Sequence, residues 1–311
     1  MKKIISVLFL LLGLETLPAR ELYPYLEELK LNLPDTSHTI PLQEMIKLKK
    51  KIEEENNCQP HECEFAFFTD FDGTIIYGDI TDGIEDLSIE NDTIRNGYHG
   101  LIRLSIEKGY LNNYKGKEGF RDYWQHYTDL IKNHQEEEST RFMGEQFINL
   151  NHEQKKKIEK LAQEYFTEIL HHKFFLSSLN IIDELVSSGI KVYVISASPD
   201  IFVKQASYVF PSGTDSISGV DLEEEGVDFF NYAEGKVKRM HCFIRKKEES
   251  GKKVFVIGAM GNSWSSDYPM IQESIKLGGI GIMINGKKRC INKLDDSSNF
   301  YCLNFKSTKE D

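Results

Sequence analysis

Positive charge is in deficit along this chain. Thirty-eight lysines and arginines stand against 49 aspartates and glutamates, for a formal net charge of −11 at pH 7. With the surplus acid spread along the length, nucleic acid is not an expected main partner. No internal repeat or low-complexity tract occurs, and 40% hydrophobic with 28% charged residues carries no collagen-like or disordered bias. The apolar run Ile4 to Leu14 falls short of the ~20 residues that a membrane span needs. Cysteines number only five, and their spacing does not suit a zinc site. What is left is a globular chain of 311 residues, long enough for one large domain or two modest ones.

The start of the chain reads as an export signal. Met1-Lys2-Lys3 precedes the apolar run, and Pro18-Ala19 offers a cleavage region before Arg20. Residues 1–19 are therefore expected to be a signal peptide, leaving an exported protein, periplasmic or secreted, with no stable membrane span after cleavage. In an oxidising compartment Cys58 and Cys63 are close enough for a local disulfide. Cys242, Cys290 and Cys302 could then supply a second bridge with one thiol left over.

Residues 20–60 read as a polar N-terminal extension, partly helical. The first core strand is Glu64 to Thr69. From 78 to 177 amphipathic runs such as Thr93–Gly109, Phe120–Asn133 and Glu153–Leu170 predict a helical insert. After it, helix and strand alternate. Leu179–Leu185 reads as helix, Lys191–Ile195 as strand, Pro199–Tyr208 and Lys236–Lys247 as helices, and Lys253–Ile257 and Ile280–Ile284 as strands. Helices separating short apolar strands predict a parallel sheet covered on both faces, assembled from residues 61–77 and 178–311.

The densest chemistry is Phe65-Ala66-Phe67-Phe68-Thr69-Asp70-Phe71-Asp72-Gly73-Thr74. Residues i and i+2 of a strand share a face, so Asp70 and Asp72 start out pointing together. Two carboxylates that close call for a cation, a shared proton or both. A plain Asp-Gly turn is the alternative for this stretch. Ligands of parallel sheets gather beyond the strand C-termini. Two further strands end in polar residues there, one in Ser196-Ala197-Ser198-Pro199, the other in Gly261-Asn262-Ser263 running on to Asp267. Between them lie Lys236 and Lys238.

Asp70-Phe71-Asp72-Gly73-Thr74, Val194-Ile195-Ser196-Ala197-Ser198, Gly235-Lys236 and Gly261-Asn262 through Asp267-Tyr268-Pro269-Met270 stand in the order of four motifs. In them the chain resembles the haloacid dehalogenase-like hydrolase superfamily, in its phosphatase branch with a helical cap. The resemblance implies a Rossmann-like three-layer core with a cap inserted after the first strand. It implies Asp70 as nucleophile forming an aspartyl-phosphate, and Asp72 as general acid/base. It further implies phosphate contacts from Thr74, Ser196, Ala197 and Lys236, with Lys238 as the alternative lysine. Mg²⁺ would be held by Asp70, the Asp72 main-chain carbonyl, Asn262 and Asp267. Asn262 stands where the family has aspartate, and the loop from it to Asp267 is one residue longer than the common form.

The function so implied is hydrolysis of a small phosphomonoester. An exported member with a cap rich in aromatics such as Tyr123, Trp124 and Tyr127 resembles phosphorylcholine phosphatases, which makes phosphocholine a candidate substrate. Phosphoserine-type phosphatases share the cap class. Two alternatives use the same residues: a ligand-binding protein without turnover, motivated by Asn262, and phosphotransfer to an alcohol.

Overall fold

A computed structural model describes residues 39–59, 61–84, 98–167, 173–210, 214–225, 230–286 and 299–305. The proposed signal peptide lies outside these residues. Among the described residues no helix is long and apolar enough to cross a membrane.

The elements, in chain order, are α1 (Thr39–Asn56), β1 (Cys63–Thr69), β2 (Gly83–Ile84), β3 (Tyr98–His99), α2 (Leu101–Glu107), α3 (Gly116–Lys132), α4 (Glu136–Glu145), α5 (His152–Tyr165), α6 (Leu176–Ser187) and β4 (Lys191–Pro199). Then come α7 (Asp200–Val203) with a 3₁₀ segment (Lys204–Val209), β5 (Thr214–Val220), α8 (Leu222–Glu225), α9 (Glu234–Glu249), β6 (Lys253–Gly261), α10 (Tyr268–Lys276), β7 (Ile280–Ile284) and β8 (Phe300–Leu303). Six strands form one sheet in the order β5-β4-β1-β6-β7-β8, and every neighbouring pair is parallel.

β1 explains its own apolar sequence. Phe65 and Phe67 enter a core shared with Met45 of α1, Ile181 of α6 and Val192 of β4. Ala66 and Phe68, turned to the other face, pack with Met240 of α9 and Met270 and Ile271 of α10. A strand covered on both sides cannot alternate polar and apolar residues, so it reads as a continuous hydrophobic run. The result is an α/β fold with a mostly parallel central sheet and flanking helices.

Several expectations change in detail. The stretch Pro199–Tyr208 is not one α-helix: β4 runs through Pro199, followed by the short α7 and a 3₁₀ segment. β5 and β8 were not among the expected strands. The described residues of the 78–177 interval hold the helices α2 to α5 but also the antiparallel pair β2–β3. Cys58 and Cys63 form a disulfide with Cα atoms 5.6 Å apart, tying the end of α1 to the start of β1. Cys302 is also disulfide-bonded and Cys242 is free. Cys290 lies outside the described residues.

Candidate functional site

The carboxyl ends of the three central strands meet at one cavity of about 730 Å³. β1 delivers Asp70, β4 delivers Ser196 to Ser198, and β6 ends at Gly261 just before the loop to Asp267. β1 lies between the other two, so residues scattered over some 200 positions of chain arrive together.

Lys236, in the first turn of α9, is fully buried, and its Nζ donates to Asp70 Oδ1 at 2.5 Å and to Asp267 Oδ1 at 2.6 Å. Lys238 is exposed, so Lys236 is the lysine that enters the site. Asp70 is anchored further by Thr74 Oγ1, which donates to its Oδ2 at 3.0 Å. Burial pushes the Asp70 carboxyl up, to about 7, and the charge of Asp267 adds to this while Lys236 opposes it. Burial alone would lower the Lys236 ammonium, but Asp267 and Asp70 outweigh it and hold Lys236 above its usual value.

Asp267 organises its own loop. Its Oδ2 accepts the backbone N–H of Asn262 at 2.9 Å and of Ser263 at 2.8 Å. The approach is so close that a Cβ on Gly261 would fall 2.4 Å from Asp267 Cβ, so only glycine fits. Asn262 in turn lies against the Asp70 loop. A Cβ on Gly73, which has φ +69°, would fall 2.0 Å from Asn262 Nδ2, and Thr74 Oγ1 stands 3.4 Å from Asn262 Oδ1.

Asp72 sits in a separate cradle. Its Oδ1 accepts Ile80 N–H at 2.7 Å, and its Oδ2 accepts Ser198 Oγ at 2.7 Å and Ser196 Oγ at 3.1 Å. Thr81 Oγ1 donates onward to Ser198 Oγ at 2.7 Å. Burial raises the Asp72 carboxyl well above the usual range, and Asp79 and Asp70 raise it further against the bonds from Ile80 and Ser198. Asp79 itself folds the next turn, accepting the N–H groups of Thr81 and Asp82 at 2.7 and 3.0 Å.

The expected residues Asp70, Asp72, Thr74, Lys236, Asn262 and Asp267 are thus brought together, with Ala197 on the cavity wall. Ser196 reaches the same place but donates to Asp72. Ser198, Thr81 and Asp79 were not anticipated. Ser198 could have been, since it follows Ser196 by two on an extended strand and shares its face. Among the described residues lining the cavity are Asp70, Asp72, Asp79, Asp82, Glu136 and Asp267, and no lysine, arginine or histidine.

A hard divalent cation fits this chemistry. Asp70 and Asp267 share a single ammonium, and the expected set would add oxygen donors from the Asp72 main chain and the Asn262 amide, the hard ligands such an ion takes. Among the described residues no three His, Cys, Asp or Glu side chains gather as a metal cluster. The expected ligand set does not require three, since it counts only two carboxylate side chains. Of the aromatics singled out in the α3 region, Tyr123 is buried in the core, whereas Tyr127 lines the cavity and donates to Asp82 Oδ2 at 2.6 Å.

Fold and site together define an α/β protein with a cavity that several carboxylates line at the carboxyl edge of a parallel sheet. No protein-family model matches the chain, and no curated protein matches it. Among solved structures it is similar to a protein with unknown function from Bordetella pertussis Tohama I, at 10% identity and a TM-score of 0.54, over 78% of this chain and 98% of that one. That likeness speaks to the fold alone.

Proposed function

We propose that this chain is an exported Mg²⁺-dependent phosphomonoesterase of the haloacid dehalogenase-like kind, with residues 78–177 as a cap inserted after β1. The observation that carries the reading is the buried Asp70–Lys236–Asp267 bridge at the strand ends, with Asp72 two residues away in its own hydrogen-bonded cradle. Asp70 is the nucleophile, attacking phosphorus and expelling the alcohol to leave an aspartyl-phosphate. Lys236 and Thr74 hold its carboxylate in one orientation. Asp72, whose carboxyl burial and the charge of Asp79 push up, gives its proton to the leaving oxygen. It then takes a proton from the water that hydrolyses the intermediate.

Asp70, the Asp72 carbonyl, Asn262 and Asp267 would hold Mg²⁺, which when bound supplies charge neutralisation for the phosphoryl oxygens. The Cys58–Cys63 disulfide supports an oxidising compartment. Asp79, Asp82 and Tyr127 on the cavity wall support an alcohol that carries a positive charge, with phosphocholine as the first candidate.

The test is phosphate release from small monoesters, phosphocholine and phosphoserine included, by the chain lacking residues 1–19. Turnover that needs Mg²⁺ and disappears in Asp70→Asn is expected. No release from any monoester over a range of pH and Mg²⁺, or wild-type turnover in Asp70→Asn, would defeat the proposal.

A further inference from the structure

We propose that Asn231 is a positioning residue whose carboxamide sets the rotation of α9 and thereby delivers Lys236 between Asp70 and Asp267. Asn231 is wholly buried. Its Nδ2 donates to Gly219 O at 2.8 Å and to Ser218 O and Oγ at 3.3 Å each, all at the end of β5. Its Oδ1 accepts Arg239 Nε–H at 3.0 Å. Arg239 follows Lys236 by three residues, so both lie on the same side of α9. One side chain therefore ties the sheet edge, the turn and the helix that carries the lysine.

The chain between Asn231 and Lys236 explains why such a tie is needed. No side chain caps the start of α9. Ala233 holds φ +46° and ψ −114°, a conformation that L-residues rarely adopt. Gly235 packs so tightly that a Cβ would fall 1.7 Å from Phe230 O. A backbone held there against its preference persists only where surrounding contacts over-determine it, and the Asn231 bonds do this. The Lys236 contacts of 2.5 and 2.6 Å leave no slack, so a small rotation of α9 breaks one of them.

The test compares Asn231→Ala with wild type in two readouts, and only the kinetic one rests on the phosphatase reading. The first is acetylation of Lys236 by a soluble amine reagent, followed by peptide mass spectrometry with the exposed Lys238 as internal reference. The buried bridge shields Lys236, and labelling is expected to rise about tenfold when the population with the bridge open rises by that factor. The second is kinetics on the best monoester. A misplaced lysine lowers kcat by about ten- to a hundredfold with KM changed less than about threefold.

In the Lys236→Ala background the Asn231 change is expected to add less than about twofold, because its effect runs through the lysine. Unchanged Lys236 labelling, or penalties that multiply in the double variant, would overturn the proposal. If Asn231→Ala loses its cooperative unfolding transition, Arg239→Lys, which removes the planar donor from the same bond, is judged by the same criteria. If the wild type has no turnover, the phosphatase reading fails while the labelling result still decides the role of Asn231.

Discussion

Replacing Lys236 by methionine separates the electrostatics of the site from its volume, because methionine keeps most of the buried stem and removes the charge. The ammonium lies 2.5 Å from one carboxylate and 2.6 Å from the other, with all three side chains almost fully buried. At an effective dielectric near 20 each contact is a gross attraction of about 6 kcal/mol. Both oxygens touch the same nitrogen, so they stand within about 5 Å of each other, a repulsion of at least about 3 kcal/mol. Dehydration of the lysine offsets much of the attraction, and removing one partner of such a group costs about 3–5 kcal/mol.

The sign with pH follows from the carboxylates. Asp70 is held at about 7 with the lysine present. Without the lysine it keeps its proton to higher pH, so above about 7 the folded variant binds one more proton than the folded wild type. The deficit therefore grows with rising pH by about 1.4 kcal/mol per unit until the variant also ionises. Urea unfolding followed by tryptophan fluorescence at pH 6, 7, 8 and 9 measures this, with the exposed Lys238→Met as control, expected within about 0.5 kcal/mol of wild type. A deficit under about 1 kcal/mol at pH 8, or one that does not change with pH, would refute the reasoning.

Asp72→Asn should raise stability at pH 8 by about 1 kcal/mol or more while slowing turnover, because a carboxyl whose folded pKa is raised costs the fold stability as pH rises above the unfolded value and only the unfolded chain gives up the proton. The gain should vanish near pH 4, where Asp72 is protonated, as melting curves at the two pH values would show. Asn262→Asp adds a negative charge beside the loop of Asp70 and should tighten Mg²⁺ binding about tenfold, read by titration calorimetry; weaker binding would remove Asn262 from the ligand set. Paired Cys58→Ser and Cys63→Ser substitutions should cost about 2 kcal/mol in urea unfolding under oxidising conditions, from the loop entropy of so short a bridge. The same pair measured in reductant should match the wild type.

What the sequence determined by itself is the chemistry that local rules create. The apolar run Phe65–Phe68 marked a central buried strand because a strand covered on both faces has no polar side to show. Asp70 and Asp72 were readable as strand-end carboxylates, but β1 stops at Thr69, so the two-residue repeat does not carry on to them and each carboxyl has its own set of partners. The short distance from Cys58 to Cys63 made their disulfide legible. β5 escaped because Thr214–Val220 carries Asp, two Ser and Gly, and β8 because four residues make too short a pattern. The tertiary structure alone decided between Lys236 and Lys238. Both stand near the start of one helix, and only the packing of α9 shows which is buried and which is exposed. It also made Ser196 and Ser198 partners of Asp72, and placed Asn231 where it can hold the lysine in register. The Asp72 contacts cross more than a hundred residues of chain, those of Asn231 only about a dozen, and no local periodicity records either, because they depend on how strands and helices pack.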